Sequence, residues 1–241
     1  MIVKVGCCGF PSGMKNYFKK FKLVEVQQTF YKPPKEETAK RWRDLAGKDF
    51  EFSLKAWQLI THDPKSPTYR KAGIKVDKKD SYGFFRNTKE VFKAWDTTRN
   101  IAKVLNARVI VFQCPSSFKP TEENIANLRG FFSTIDREFI YAWEPRGKWD
   151  NSLIRKLCDE LDLVHCIDPF QNELAVKKKV AYFRLHGKGG RKYYYNYTED
   201  DFNILLSKIG ESEAELVYCL FNNIYMEKNA LEFMKKIIPK K

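Results

Sequence analysis

Arg184 and His186 stand two residues apart in the run VAYFRLHG (180–187). In an extended chain such residues project from one face, so a guanidinium and an imidazole are aimed at a single place. A guanidinium clamps anions and an imidazole moves protons near neutral pH; together they suit acid/base work on a charged ligand. The same parity recurs elsewhere. FIYAWEP (139–145) puts Ala142 and Glu144 on one face, LVHCIDP (163–169) aligns Val164, Cys166 and Asp168, and RVIVFQCP (108–115) aligns Val109, Val111 and Gln113. FEFSLKAW (50–57) pairs Ser53 with Lys55, and LVEVQQTF (23–30) lines up Glu25, Gln27 and Thr29. In each run the opposite set is more apolar or aromatic.

These side chains need elements that bring them together. Two further runs, IVKVGCCG (2–9) and LVYCLFNN (216–223), complete a set of eight. Their length and their β-branched and aromatic content predict strands. Between most of them the spacing is helical: Val91, Trp95, Thr98, Ala102 and Leu105 in one segment, and Met226, Ala230, Phe233 and Ile237 in another. Thr121 and Thr198, each followed by acidic residues, read as N-caps, and Gly47 and Gly210 stand where helices should stop. Strand-then-helix alternation implies a parallel sheet, and eight units in 241 residues predict an α/β fold, a single TIM-type (β/α)8 barrel over 1–241. A doubly wound open sheet is the alternative, but no GxGxxG follows the first strand. Residues 58–82, between strands three and four, read as a long loop over the C-terminal face, where lids sit.

In a closed barrel alternate strand residues face the axis, and the C-terminal strand ends carry the site. Glu25, Lys55, Glu144, Asp168, Arg184 and His186 then converge in the upper interior. Unpaired buried ions cost several kcal/mol each, so these groups must pair with one another or with a ligand. The bland reading is a self-satisfied network, Glu144 to Arg184 and Glu25 to Lys55; the functional one is a ligand site. HGKGGRKYYYNY (186–197) adds Gly187, Gly189 and Gly190 with Lys188, Arg191 and Lys192, a combination that suits an anion. Tyr193, Tyr194, Tyr195 and Tyr197 could stack on rings or pack beneath the loop. His62 could drop onto the mouth or cap a loop. His165 faces the helices by parity and reads as a packed core histidine, and Trp149 as packing. Of Asn222 and Asn223, one could bond a ligand while the other caps a helix.

A formal net charge of +14 and a pI near 9.4 point to anionic company, unless they are only a solvated lysine-rich exterior. Lysines cluster at 177–179, 188–192 and 235–241, so a nucleic acid is one candidate partner. A 43% hydrophobic fraction supports a core. No apolar run approaches the roughly 18 residues of a membrane span, so no membrane partner is expected. The first residues lack a signal-peptide pattern, which suggests the cytoplasm. The six cysteines show no Cys-x-x-Cys and read as reduced core residues.

VGCCGF (5–10), VEVQQTFY (24–31), FSLKAWQLITH (52–62), FQCPSSF (112–118), WEPRGKW (143–149), RLHG (184–187) and FNN (221–223) occur in one order. Together they resemble the domain of unknown function 72, or YecE-like, family over nearly the whole chain. The resemblance implies a TIM-type barrel and no established activity. The family pattern matches at Glu25, Thr29, Phe30, Tyr31, Lys55, His62, Gln113, Glu144, Arg146, Arg184, His186, Gly187, Asn222 and Asn223. It departs at Cys7, Cys8, Gly9 and Phe10, where Thr-Ser-Gly-Trp is usual, and at Gln27 and Gln28, where Asn-Ser is usual; the longer glutamines could narrow the mouth.

The leading expectation is a metal-independent, cofactor-free hydrolase or lyase for a small anionic, phosphorylated or carbohydrate-like substrate. Glu144 would be the general acid or base, His186 a proton shuttle, and Lys55 and Arg184 stabilisers of developing negative charge. Glu25, Tyr31, His62, Gln113, Arg146, Asp168, Gly187, Lys188 and Asn222 would line the substrate. The alternatives are a metal-dependent barrel hydrolase or isomerase using Glu144, Asp168 and His186 as ligands, and a nucleic-acid-binding or processing protein. The oligomeric state is not legible.

Overall fold

The computed structural model describes residues 1–237, without the side chain of Lys192. Eight parallel strands close into a barrel in which each pairs with its sequence neighbours and the last with the first. The chain runs β1 (Ile2–Cys8), α1 (Met14–Lys20), β2 (Leu23–Val26), α2 (Gln28–Tyr31), α3 (Glu36–Ala46) and β3 (Glu51–Lys55). It continues through α4 (Gln58–Thr61), α5 (Pro67–Lys71), α6 (Lys89–Leu105), β4 (Ala107–Gln113), α7 (Glu122–Thr134), β5 (Ile140–Glu144) and α8 (Asn151–Glu160). The remainder is β6 (Val164–Ile167), β7 (Val180–Leu185), α9 (Glu199–Glu211), β8 (Leu216–Phe221) and α10 (Met226–Ile237). The TIM-type barrel expected from the strand count is the fold.

Strand parity divides the core as expected. Facing the axis, Cys8, Leu23, Val109, Val111, Ala142, Val164, Cys166, Tyr182, Tyr218 and Leu220 pack together. The alternate residues, among them Phe52, Phe112, Trp143 and Phe183, pack outward among the buried helix residues, including Val91, Trp95, Ala102 and Leu105 of α6. All six cysteines are buried and free. Thr121 and Thr198 cap α7 and α9, the latter in a reciprocal capping box with Asp201, and Gly47 ends α3 at φ 76°.

Four local expectations are corrected. Strand two stops at Val26: Thr29 turns into α2 and its hydroxyl donates to the Lys55 and Val26 carbonyls, which a continued strand could not allow. Gly210 lies inside α9, which runs on to Glu211 because its carbonyls are met by Ser212. Residues 58–82 are not one loop: α4, α5 and a single 3-10 turn (Lys79–Ser81) fold there around buried Tyr69, whose hydroxyl donates to the His62 carbonyl. Finally, no helix follows β6; residues 168–179 are an irregular connection to β7. Among the described residues no helix is long and apolar enough to cross a membrane.

Candidate active site at the barrel mouth

Arg184 is the hub. Its position on β7 sends a guanidinium across the axis, where only 1% of the residue is exposed. Nε and one terminal nitrogen donate to Glu25 of β2, the latter at 2.9 Å, and the other terminal nitrogen donates to Glu144 of β5. One planar fork of donors therefore satisfies two carboxylates on opposite walls, which a lysine could not do. Tyr182, directly below on the same strand face, donates to Glu25 at 2.9 Å, and Gln27 donates to it from above. Burial alone would weaken the Arg184 charge, but Glu144 and Glu25 hold it firmly protonated.

The Glu144–Arg184 pairing follows the sequence expectation; the Glu25–Lys55 pairing does not occur. Arg184 takes Glu25, and Lys55 donates instead to the Gln113 amide oxygen at 3.0 Å, with its ammonium 3.8 Å from the Phe30 ring centre. Burial, followed by the Arg184 charge, brings the Lys55 ammonium down to about 7. Its neighbour His62 stacks edge-on against Phe30, and burial and then Lys55 push its imidazole down to about 3. Desolvation opposes the Glu144 charge, yet Arg184 and Arg146 together lower its carboxyl to about 2.

Above this sealed layer lies a cavity of roughly 340 Å³ at the C-terminal ends of β5, β6 and β7. Glu144, Arg146, Cys166, Asp168 and His186 meet there. Arg146 follows β5 and folds back so that its Nε donates to Glu144 Oε1 at 3.0 Å; its side chain is 37% exposed, against 8% for Glu144. Asp168 ends β6 and accepts the His186 backbone N–H at 2.9 Å while its Oδ2 faces the imidazole Nδ1 at 3.4 Å. The other ring nitrogen, Nε2, lies 3.4 Å from the Arg146 guanidinium. A carboxylate thus orients an imidazole whose far nitrogen sits beside a cation, an arrangement suited to transferring a proton to a ligand held by that cation.

Of the remaining expected substrate residues, several are engaged elsewhere. The Gly187 amide donates to the Tyr197 hydroxyl at 2.8 Å, and Lys188 is paired with Asp201 and lies 4.6 Å from the Phe170 ring centre, so neither group cradles an anion here. Tyr31 lies on α2 against Lys71, and Asn222 is half-buried with its amide on Leu185; neither lines the cavity. Asn223 bonds Asn229 and the Tyr195 carbonyl. His165 is buried with Nδ1 accepting the Ala175 amide, as a packed histidine does, and burial lowers it to about 4. Its outer edge also borders the cavity, as does Trp149, which stacks on Phe118.

Sequence reasoning missed the 168–179 connection, which contributes Gln171, Asn172 and Glu173 to the cavity, with Gln171 donating to Asp168 at 2.7 Å. The available signal was position: this polar segment follows the C-terminal end of a barrel strand. Tyr193 also lines the cavity, edge-on to His186.

Glu144, Asp168 and His186 do not form a ligand set, because Glu144 is held by two arginines. Among the described residues no three His, Cys, Asp or Glu side chains are grouped to hold a metal ion. Among the described residues, Lys177–Lys179 precede β7 and Lys188 follows it, at the opposite end of that strand. Lys177, Lys178 and Lys179 pair with Glu213, Asp162 and Glu215. The Lys192 side chain, and Lys240 and Lys241 of the last run, lie outside the described residues.

The fold and this mouth define a TIM-type barrel protein with a charged, ligand-sized cavity at its C-terminal face. The family described as "Protein of unknown function DUF72" matches residues 10–240, and the chain belongs to it. A DUF72 family protein from Enterococcus faecalis is 17% identical at a TM-score of 0.75, covering 100% of this chain and 97% of that one. Another, from Thermotoga maritima, is 20% identical at 0.71, covering 99% and 100%. A D-psicose 3-epimerase is 9% identical at 0.59, covering 98% of each chain. At these identities the likenesses show the fold. No curated protein matches the chain significantly.

Proposed function

We propose that this DUF72 barrel is an acid/base enzyme, needing no metal, for a small anionic substrate held in the cavity between β5, β6 and β7. The observation that carries this reading is the placement of His186 between Asp168, 3.4 Å from one ring nitrogen, and Arg146, 3.4 Å from the other. Arg146 is the anchor: it is the more exposed partner of its ion pair and can turn toward a carboxylate or phosphate while Glu144 keeps its pair with Arg184. His186 moves the proton, and Asp168 fixes its orientation. Glu144 stays a carboxylate and positions Arg146, so the transfer step falls to the imidazole rather than to Glu144. Arg184, Glu25, Lys55 and Gln113 form the floor, whose Arg184 guanidinium holds Glu144 in place beneath the ligand.

A thermal-shift panel of sugar phosphates, 2-hydroxy acids, nucleotides and short oligonucleotides tests the reading. A small anion near a hundred times its dissociation constant should stabilise the protein by roughly 2.7 kcal/mol. Arg146→Met should abolish that shift, while His186→Asn should retain most of it and lose turnover. Stabilisation by oligonucleotides alone, undiminished in Arg146→Met and fading with salt, would remove the site from the mouth.

A further inference from the structure

Lys55 differs from every other ion in the upper barrel. Both carboxylates of the floor are committed, Glu25 to Arg184 and Glu144 to Arg184 and Arg146. Among the described residues no carboxylate lies within ion-pair distance of the Lys55 nitrogen, whose polar partner is one amide oxygen, that of Gln113. An ammonium stripped of water and given no counter-ion is poorly stabilised, and an aromatic face returns only part of the loss. The neutral amine, with a free electron pair, is correspondingly favoured, in line with a pKa brought down to about 7 by burial and the Arg184 charge. Burial beside a second cation is the known route to a nucleophilic lysine. Gln113 is the cross-strand partner of Glu144 on the cavity wall and the hydrogen-bond partner of Lys55, so reaction at Lys55 requires the Gln113 side chain to turn aside.

We propose that Lys55 is a nucleophile that forms an imine with a small carbonyl compound bearing an anionic group, a 2-oxo acid being the simplest. This rests on the reading of Arg146 as the anion anchor and gives that site its substrate class. The amine nitrogen attacks the carbonyl carbon, and the π pair of C=O moves to oxygen, which takes one amine proton. The carbinolamine then loses its hydroxyl with the second amine proton as water, leaving C=N. No oxidant or reductant is needed. Once protonated, the imine withdraws electrons from the adjacent carbon, and His186 can then remove or return a proton there. Of the two reaction types open to the site, this chemistry is that of a lyase.

The test uses the full chain, incubated with pyruvate or glyoxylate and sodium cyanoborohydride, then analysed by intact mass and peptide mapping. The expected result is one reduced adduct per chain, on the peptide holding Lys55. It should be absent in Lys55→Met and roughly tenfold slower to form in Arg146→Met, the loss of one charge-assisted bond. No adduct, or adducts spread over surface lysines and unchanged in Lys55→Met, overturns the proposal; the wild-type peptide map decides this even if the variant folds poorly. Lactate, which lacks the carbonyl, separates the two readings. If lactate and pyruvate stabilise equally and no adduct forms, the imine falls and the anion site stands. If neither stabilises and no adduct forms, both fall.

Discussion

At Arg184 one side chain settles how three strands meet. Its guanidinium, 1% exposed, is bonded to two carboxylates from opposite walls, and removing it leaves Glu25 buried without a counter-ion and Glu144 with Arg146 alone. Arg184→Met should therefore cost about 3–5 kcal/mol, read as a fall in urea midpoint at unchanged slope. Lys55 behaves oppositely, because its charge has no partner to orphan. Lys55→Met should stabilise the protein by about 1–4 kcal/mol at pH 6. The folded chain keeps the Lys55 proton only up to about pH 7, against 10.5 for the free group. As pH rises from 7 toward 10.5, the unfolded chain keeps a proton the folded one has released, so wild-type stability climbs and the advantage of the variant shrinks. Denaturation of both proteins at pH 6 and pH 9.5 checks the sign. The Arg184–Glu144 contact was legible because parity puts both residues on the axis near the same height. The partner of Lys55 was not, since the choice between Glu25 and Gln113 depends on which donor reaches Glu25 first, and Arg184 offers three nitrogens to one.

The elements around the mouth show where pattern reading ended. Strand parity placed Lys55, Gln113, Glu144, Asp168, Arg184 and His186 correctly because each lies within or directly after a regular strand. It failed beyond Val26, where β2 gives way to α2 and alternation no longer governs direction. It also could not reach the segment 58–85, which looks like a polar loop but folds on contacts distant in sequence. That segment is closed by Gly83, whose amide bonds Leu59 and whose φ is +75°. A Cβ there would stand 2.1 Å from the His62 carbonyl oxygen. Phe84 and Phe85 follow with φ of 52° and 54°, a backbone conformation offset by the burial of Phe85 among Phe112, Phe118, Phe131 and Phe132. Gly83→Ala should destabilise by more than about 2 kcal/mol and expose the 58–85 segment to protease, as seen by limited digestion.

For the whole molecule, acid is the expected weakness, and the net charge of +14 grows more positive there. His62 and His165 are held neutral by burial, at about 3 and about 4 against 6.5 for the free group. Above pH 6.5 neither imidazole binds a proton in either state, and their neutral, buried forms are tolerated fully. Below it the unfolded chain takes up protons the folded chain refuses, so stability falls as pH drops from 6.5 to about 4, and for His62 to about 3. Each group then costs roughly 1.4 kcal/mol per pH unit. The urea midpoint of wild type should decline across that window, and that of a His62→Gln, His165→Gln variant should decline less. If the two profiles coincide, the buried imidazoles are not the source.

The chain has only three histidines, so ligand binding beside His186 can be followed directly. Two-dimensional NMR of the imidazole resonances, recorded while titrating inorganic phosphate and then pyruvate into the protein, reports on each separately. The His186 signals should move saturably with at least one of these anions and stop moving in Arg146→Met, while those of His62 stay fixed. Movement of none, or equal drift of all three with ionic strength, would contradict a ligand site built on Arg146, Asp168 and His186.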